Sequence, residues 1–186
     1  MKNIVLLALI LFWVKLGHSQ NQKLPISVSY LGQLAYQPGL KIGSHFELKN
    51  WTTTAKQFTK LKSFYISPQI GFFTQPNAHT SYLINADFGY KRIKSHNQKY
   101  SAWSIGLAYM LQSQIIEWQV HLNDGSKEKI RANWNWFLPT LNYEFGQAIH
   151  TNLHWYGKFS YGIKMAPNRE STMLLFVELG IKFNLL

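Results

Sequence analysis

The residue types that could perform chemistry in this sequence are concentrated in its last third. Ser160, His154 and Glu178 are the three types of a hydrolase triad, in which a serine needs an imidazole within hydrogen-bond reach and an acid behind it. The G-x-S-x-G motif that marks many such serines is absent. Glu178, Lys158 and His154 form an alternative set that would be catalytic or ion-conducting. Because charge pairs also fill protein interiors, we expect these residues to be structural and predict no catalytic residue.

Metal ligands are the second kind of chemistry to consider. The chain contains no cysteine, which excludes disulfides and thiolate metal sites. His150 and His154 are four residues apart, and in a strand this spacing separates them by roughly 13 Å, too far to share one metal. His79 and His96 fall in predicted turns. We therefore expect no metal and no other cofactor.

The C-terminal stretch, residues 171–186, shows what kind of element carries Glu178. From Leu175 to Leu185 every second residue is apolar, and Glu178 and Lys182 stand between the apolar positions. A period of two indicates a β-strand with one apolar and one mixed face.

Seven earlier segments show a similar alternation. They predict strands at residues 26–36, 40–48, 64–74, 82–92, 101–112, 130–145 and 153–164, which makes eight in all. Turns are predicted at residues 37–39 and at residues 123–125, which read Asn-Asp-Gly. Residues 50–62 are polar and basic without a period, so a loop is expected there, with a short extension of each neighbouring strand as an alternative. Pro68 and Pro139 cannot donate to a ladder, which predicts an edge or a bulge at Pro68 and a bulge at Pro139.

The N-terminus has the pattern of a secretory signal peptide. Lys2 precedes an apolar run at residues 4–14, and Gly17, His18 and Ser19 provide a cleavage site after Ser19. The run is too short for a spanning helix, so an N-terminal anchor is the less favoured alternative. Residues 1–19 are thus predicted to be a leader and residues 20–186 a single domain, with 17 basic and 8 acidic residues and a formal charge of +9.

The apolar rows of the strands are predicted to face lipid. A closed barrel is the structure that satisfies a strand backbone in a bilayer, and aromatic residues, at 16% of the chain, would supply its interfacial girdles. We therefore predict an all-β fold, an eight-stranded antiparallel transmembrane up-and-down β-barrel in a bacterial outer membrane. The residues predicted to face lipid or a partner are Trp103, Ile105, Leu107, Tyr109, Trp155, Phe159, Tyr161, Leu175, Val177, Leu179, Ile181 and Phe183.

The opposite rows would line the barrel interior, which has just enough room for side chains in an eight-stranded barrel. We predict an interior ionic network rather than an open channel. Its members are Lys41, His45, Glu47, Asp87, Lys91, Glu144, His154, Lys158, Lys164, Glu178 and Lys182.

Two short runs carry a family resemblance. Residues 38–43, PGLKIG, and residues 180–185, GIKFNL, resemble small barrel proteins of Bacteroidota envelopes. The resemblance spans residues 26–186 and implies a small outer-membrane β-barrel without known catalytic residues.

The expected function is that of a non-enzymatic structural or accessory subunit. A plugged barrel suits docking to a larger outer-membrane complex for transport, secretion or barrel assembly. Outer-membrane lipids and lipopolysaccharide are expected partners, and the leader argues against nucleic acid. A lipid-A-modifying enzyme and a small pore or ligand carrier are the alternatives.

Overall fold

A computed structural model describes residues 24–33, 37–55, 58–120, 127–167 and 169–185 of the chain. Its elements are all strands: β1 (Leu24–Gln33), β2 (Gln37–Ser44), β3 (Phe46–Ala55), β4 (Phe58–Gln75), β5 (His79–Lys94), β6 (Lys99–Val120), β7 (Lys127–His150), β8 (Leu153–Lys164) and β9 (Thr172–Leu185). None of these described residues forms a helix long and apolar enough to cross a membrane. The predicted signal peptide and the predicted turn at residues 123–125 lie outside the described residues.

The strands form one antiparallel sheet that closes on itself. Its order is β2-β1-β9-β8-β7-β6-β5-β4-β3, and β2 also pairs with β4, which joins the two edges. Against β4, β2 ends at the pair Gly43–Gln69 and β3 begins at the pair Phe46–Ile66, so both hold the same register. β2 and β3 are therefore one strand of the barrel, interrupted at His45, and the wall has eight strands. The predicted up-and-down barrel is confirmed.

Proline explains the interruption between β2 and β3. The shared register places Pro68 of β4 opposite Ser44, at the point where the ladder stops. Pro68 has no N–H to donate across this pair. The Ser67 hydroxyl instead donates to the Ser44 carbonyl oxygen at 2.7 Å, and the His45 N–H turns to the Pro25 carbonyl oxygen at 3.3 Å. The ladder loses a few bonds at this site without losing its register.

Pro139 has a related effect on β7. It keeps its place opposite Leu107 of β6, but the ladder with β8 stops at the pair Thr140–Gly162. Beyond the proline, β7 pairs with the segment that follows β8 through a single bridge between Phe137 and Met165. The bulge predicted at Pro139 is therefore wrong, because the register between β7 and the chain opposite it is the same on both sides of the proline. The described register shifts lie elsewhere, at residues 47–49, 115–117 and 148–150.

Two predicted connections are also wrong. Residues 37–39 belong to β2 and pair with residues 31–33 of β1. Residues 50–55 and 58–62, predicted as a loop, extend β3 and β4 as a paired hairpin, which agrees with the alternative of extended strands. Both rows of these arms are mostly polar in sequence, so no apolar alternation marked them as strands.

The two ends of the barrel differ. β5 pairs with β6 as far as Gln114, whereas β6 and β7 continue to pair with each other up to Val120 and Lys127. This extension spans about 20 Å at the rise of a strand. We call the end that carries it the hairpin end. The opposite end, where β1 begins and β9 finishes, is the terminal end.

Large apolar side chains cover the outside of the wall. Trp103 and Leu179, for example, expose 56% and 59% of their surface. Ten of the twelve residues predicted to face lipid or a partner are exposed, and the remaining two, Val177 and Phe183, are half-buried. The inside of the hairpin half holds an apolar cluster formed by Leu31, Phe73, Leu83, Ala108, Met110, Trp136, Leu138, Leu174 and Phe176.

Candidate functional site

A set of buried charges occupies the middle of the barrel. Lys158 of β8 lies 2.5 Å from Asp87 of β5 and 3.8 Å from Glu178 of β9. Glu178 also accepts a hydrogen bond from Lys41 of β2 at 2.7 Å. All four side chains face inward because they occupy the polar row of an alternating strand. We call this set the central ion cluster.

Amide side chains complete the hydrogen bonding of Asp87. Asn85 and Asn142 donate to its Oδ1 at 3.0 and 3.1 Å, and Asn142 is also 3.2 Å from the Ser104 hydroxyl. These contacts satisfy a carboxylate that would otherwise be costly to bury. The sequence analysis did not single out these amides. Asn85 is two residues from Asp87, and Asn142 is two residues from Glu144. The period of two therefore places each amide on the same inward face as a carboxylate, and this was the signal in the sequence that could have identified them.

Two further ion pairs lie toward the terminal end. Lys182 of β9 pairs with Glu144 of β7, and Lys91 of β5 pairs with Glu47 of β3 at 3.2 Å. Both ammonium groups lie over the ring of Tyr100, at 5.4 Å for Lys91 and 5.5 Å for Lys182. With the central ion cluster, these pairs match four lysines to four carboxylates, so the described interior carries no excess charge here.

The terminal end contains a cavity of about 490 Å³, which we call the terminal cavity. Its lining residues are Pro25, His45, Glu47, Asn50, Lys91, Ile93, Gln98, Tyr100, His154, Lys182 and Asn184. Ammonium, imidazole, amide and phenol groups therefore converge on one space, which a small polar molecule would fill.

Three of the eleven residues predicted for the ionic network make none of its ion pairs. His45 is only 5% exposed, stacks on Tyr65 with ring centres 4.2 Å apart, and has no hydrogen-bond partner for either ring nitrogen. His154 lines the terminal cavity. Lys164 lies at the hairpin end, where it donates to Gln112 at 2.5 Å and sits 4.0 Å from the ring centre of Trp136.

The geometry does not assemble the hydrolase triad considered from the sequence. Ser160 and His154 both lie on β8, six residues apart. This spacing separates them by about 20 Å in an extended strand, far beyond hydrogen-bond reach. Glu178 is engaged by Lys41 and Lys158. Within the described ranges, no three His, Asp or Glu side chains cluster in a way that would hold a metal ion.

The apolar cluster seals the barrel on the hairpin side of these charges. Phe73 and Met110 are each 1% exposed and Leu138 is 2% exposed. Between the apolar cluster and the central ion cluster lies a void of about 20 Å³, room for about one water molecule. The described interior thus passes from apolar packing to paired charges without a continuous channel.

The sequence analysis missed this apolar cluster, although the sequence carries a signal for it. Five strands lose their alternation where they enter the hairpin half and become apolar on both faces. The runs are residues 72–73, 82–84, 109–111, 136–138 and 174–176. Such a run indicates a segment with apolar surroundings on both sides.

Comparison with known proteins identifies a shared fold. No protein-family model matches the chain, and no curated protein matches it. The crystal structure of Neisserial surface protein A (NspA) is similar over 88% of this chain and 97% of that chain, with a TM-score of 0.52 and 10% identity. The beta domain of the Bordetella autotransporter BrkA (84% and 67% covered, 12% identity) and the NanC porin (87% and 100% covered, 8% identity) reach TM-scores of only 0.42 and 0.30. The likeness to NspA agrees with the barrel fold and says nothing of activity. The resemblance to Bacteroidota envelope barrels stays a prediction.

Proposed function

We propose that the protein is a non-conducting barrel of the bacterial outer membrane that serves as a structural or accessory subunit of a larger membrane complex. The observation that carries this proposal is the sealed interior. The apolar cluster fills the hairpin half, and the central ion cluster lies between it and the terminal cavity, so that neither ions nor solutes have a continuous path through the barrel. A barrel of this kind acts through its outer surface and its exposed ends.

The outer surface supports the membrane location. Ile84, Ile105 and Leu107 form part of an exposed apolar wall, with exposed fractions of 64%, 64% and 59%. Monomeric soluble proteins rarely leave a contiguous apolar surface of this kind in water. Aromatic rings contact one another around the terminal side of the wall, including Trp103 with Tyr143 and Phe145 with Trp155, as expected for an interfacial girdle.

The β6–β7 extension supports a docking role. It projects beyond the pairing partners of both strands, since β5 stops at His79 and the ladder with β8 ends near Phe137. The Ile115 N–H still donates to the Ala78 carbonyl oxygen at 2.8 Å, but residues 117–120 and 127–130 pair only with each other in the described wall. Unpaired N–H and C=O groups on both sides of such a hairpin provide a template for a strand of another protein.

The test combines extraction in mild detergent with a shortened hairpin. In the variant, residues 116–130 are replaced by an Asn-Gly turn, which joins paired strands without disturbing the barrel. We expect the native protein to migrate in a stoichiometric complex on native gels, and the shortened variant to migrate as a free barrel. Heat-modifiable mobility on unboiled gels serves as the control that the variant is still folded.

Two results would contradict the proposal. One is a native protein that is monomeric in membranes from its own cell. The other is stepwise conductance in planar bilayers, because a sealed interior carries no current.

A further inference from the structure

We propose that the terminal cavity is a binding site for an organic phosphate, held by Lys91, Lys182 and His154. This site is independent of the docking role and would remain if no partner complex existed. Three donors surround one space here, and a phosphate group has three terminal oxygens to accept from them. Lysine is a common phosphate ligand because its ammonium acts as a compact point charge.

The volume of the terminal cavity suits a small organic molecule. At about 490 Å³ it falls in the range of roughly 300–1,000 Å³ that is typical of ligand pockets. It is also far larger than the central void of about 20 Å³. Pro25 and Ile93 add apolar surface to the lining, which would contact the carbon part of a ligand. A bare phosphate ion would leave most of this space unfilled.

The two lysines are held in place but keep free donors. Lys182 pairs with Glu144, and Lys91 pairs with Glu47 at 3.2 Å. An ammonium has three hydrogens, so each lysine still has donors to offer to a ligand. Lys182 also lies 4.7 Å from the ring centre of Tyr156. Fixed side chains lose less conformational entropy on binding, which favours affinity.

His154 stands beside Lys182 in the wall. The two residues are register partners on β8 and β9, which places their Cβ atoms roughly 5 Å apart on the same face. A neutral imidazole in this position can donate a hydrogen bond from its ring N–H to a phosphate oxygen. His154 and Lys182 would therefore bind one side of the phosphate. Lys91, which lies on β5, would bind the same phosphate from another part of the wall.

The lining of the terminal cavity contains more lysines than carboxylates. Lys91 and Lys182 line it, and Glu47 is the one carboxylate among the lining residues. Glu144, which pairs with Lys182, is not part of the lining. The interior as a whole is balanced, but the surface that a ligand would contact presents two ammonium groups and one carboxylate.

The binding test uses glycerol 3-phosphate as the probe and glycerol as its uncharged control, with the purified full chain in detergent and calorimetric titration. We expect the phosphate to bind and glycerol not to bind. Lys91→Gln and His154→Gln are each expected to raise the Kd about tenfold, the loss expected for one hydrogen bond to a charged group. Lys164→Gln, which removes a lysine at the hairpin end, is the matched control and should bind as the native protein does.

The proposal would be overturned if glycerol 3-phosphate does not bind, or if both terminal-cavity variants bind it with unchanged affinity. Heat-modifiable mobility of each variant establishes that it is folded before titration. A separate arm identifies the source of the phosphate. If binding is lost in phosphatidylglycerol nanodiscs but retained in maltoside micelles, which contain no phosphate, a lipid headgroup occupies the site; equal binding in both assigns it to a soluble phosphate.

Discussion

The two halves of the barrel interior solve the same packing problem with different chemistry. The hairpin half is filled by side chains such as Phe73, Met110 and Leu138, which need no partner beyond van der Waals contact. The terminal half holds lysines and carboxylates that are stable only in pairs, and it leaves the terminal cavity open. The difference indicates a division of roles. The apolar cluster closes the barrel, and the charged half presents groups that a ligand would contact.

Removing a charge from the boundary between the halves should have the largest effect. Lys158→Met leaves Asp87 and Glu178 buried without their shared cation, and breaking a buried pair in this way costs about 3–5 kcal/mol. Urea unfolding in detergent, followed by heat-modifiable mobility, would measure the loss. Lys91→Met provides the comparison, because its ion pair with Glu47 is more exposed, and its expected cost is smaller, about 1–2 kcal/mol. Equal losses in the two variants would show that burial does not distinguish these pairs.

A cavity in the apolar cluster should have a slightly smaller effect on stability and a specific effect on sealing. Phe73→Ala removes a fully buried ring, which costs about 3–4 kcal/mol in a core that cannot collapse. We expect lower stability in the same unfolding assay and brief conductance events in planar bilayers. Phe72→Ala is a matched control because Phe72 points outward on the same strand. If the two variants behave alike, the apolar cluster does not seal the barrel.

The smallest effect is expected from a buried imidazole of the terminal half. Both ring nitrogens of His45 lack a hydrogen-bond partner, so their burial is not compensated. His45→Leu replaces the imidazole with an apolar group of similar size, and the free energy of unfolding should be unchanged or higher by up to about 1 kcal/mol. A loss above this value in the unfolding assay would mean that the imidazole makes a stabilising contact.

The strands were predictable because period two persists wherever one face meets the interior and the other meets apolar surroundings. Residues 82–92 and 101–112 were found by this pattern, and the structure extends them at both ends. The pattern fails where both rows of a strand have similar side chains, mostly polar at residues 50–62 and apolar in the runs of the apolar cluster. At both kinds of segment, hydropathy carries no information about which side faces inward.

The partners within the interior were not predictable from the sequence. Which lysine meets which carboxylate depends on the stagger of the strands, and Lys41 and Glu178 are 137 positions apart. The position of the terminal cavity depends on the same stagger of the strands. Its lining includes Pro25 and Asn184, which lie near opposite ends of the described chain and meet only when the barrel closes. In the sequence, spacing along one strand limited the options only for His150 and His154.

The arrangement of the ion pairs has a consequence for the proposed insertion into a membrane. Only Lys158 and Glu178 pair across neighbouring strands, β8 and β9. The other four pairs each skip at least one strand, as Lys41 on β2 and Glu178 on β9 skip β1. These four pairs are therefore products of curvature, and a flat or half-curled intermediate would leave at least Lys41, Asp87 and Lys91 without a partner. Such an intermediate is strongly disfavoured in hydrocarbon. Insertion into the bilayer and the final curling of the sheet must accordingly proceed as one coupled step.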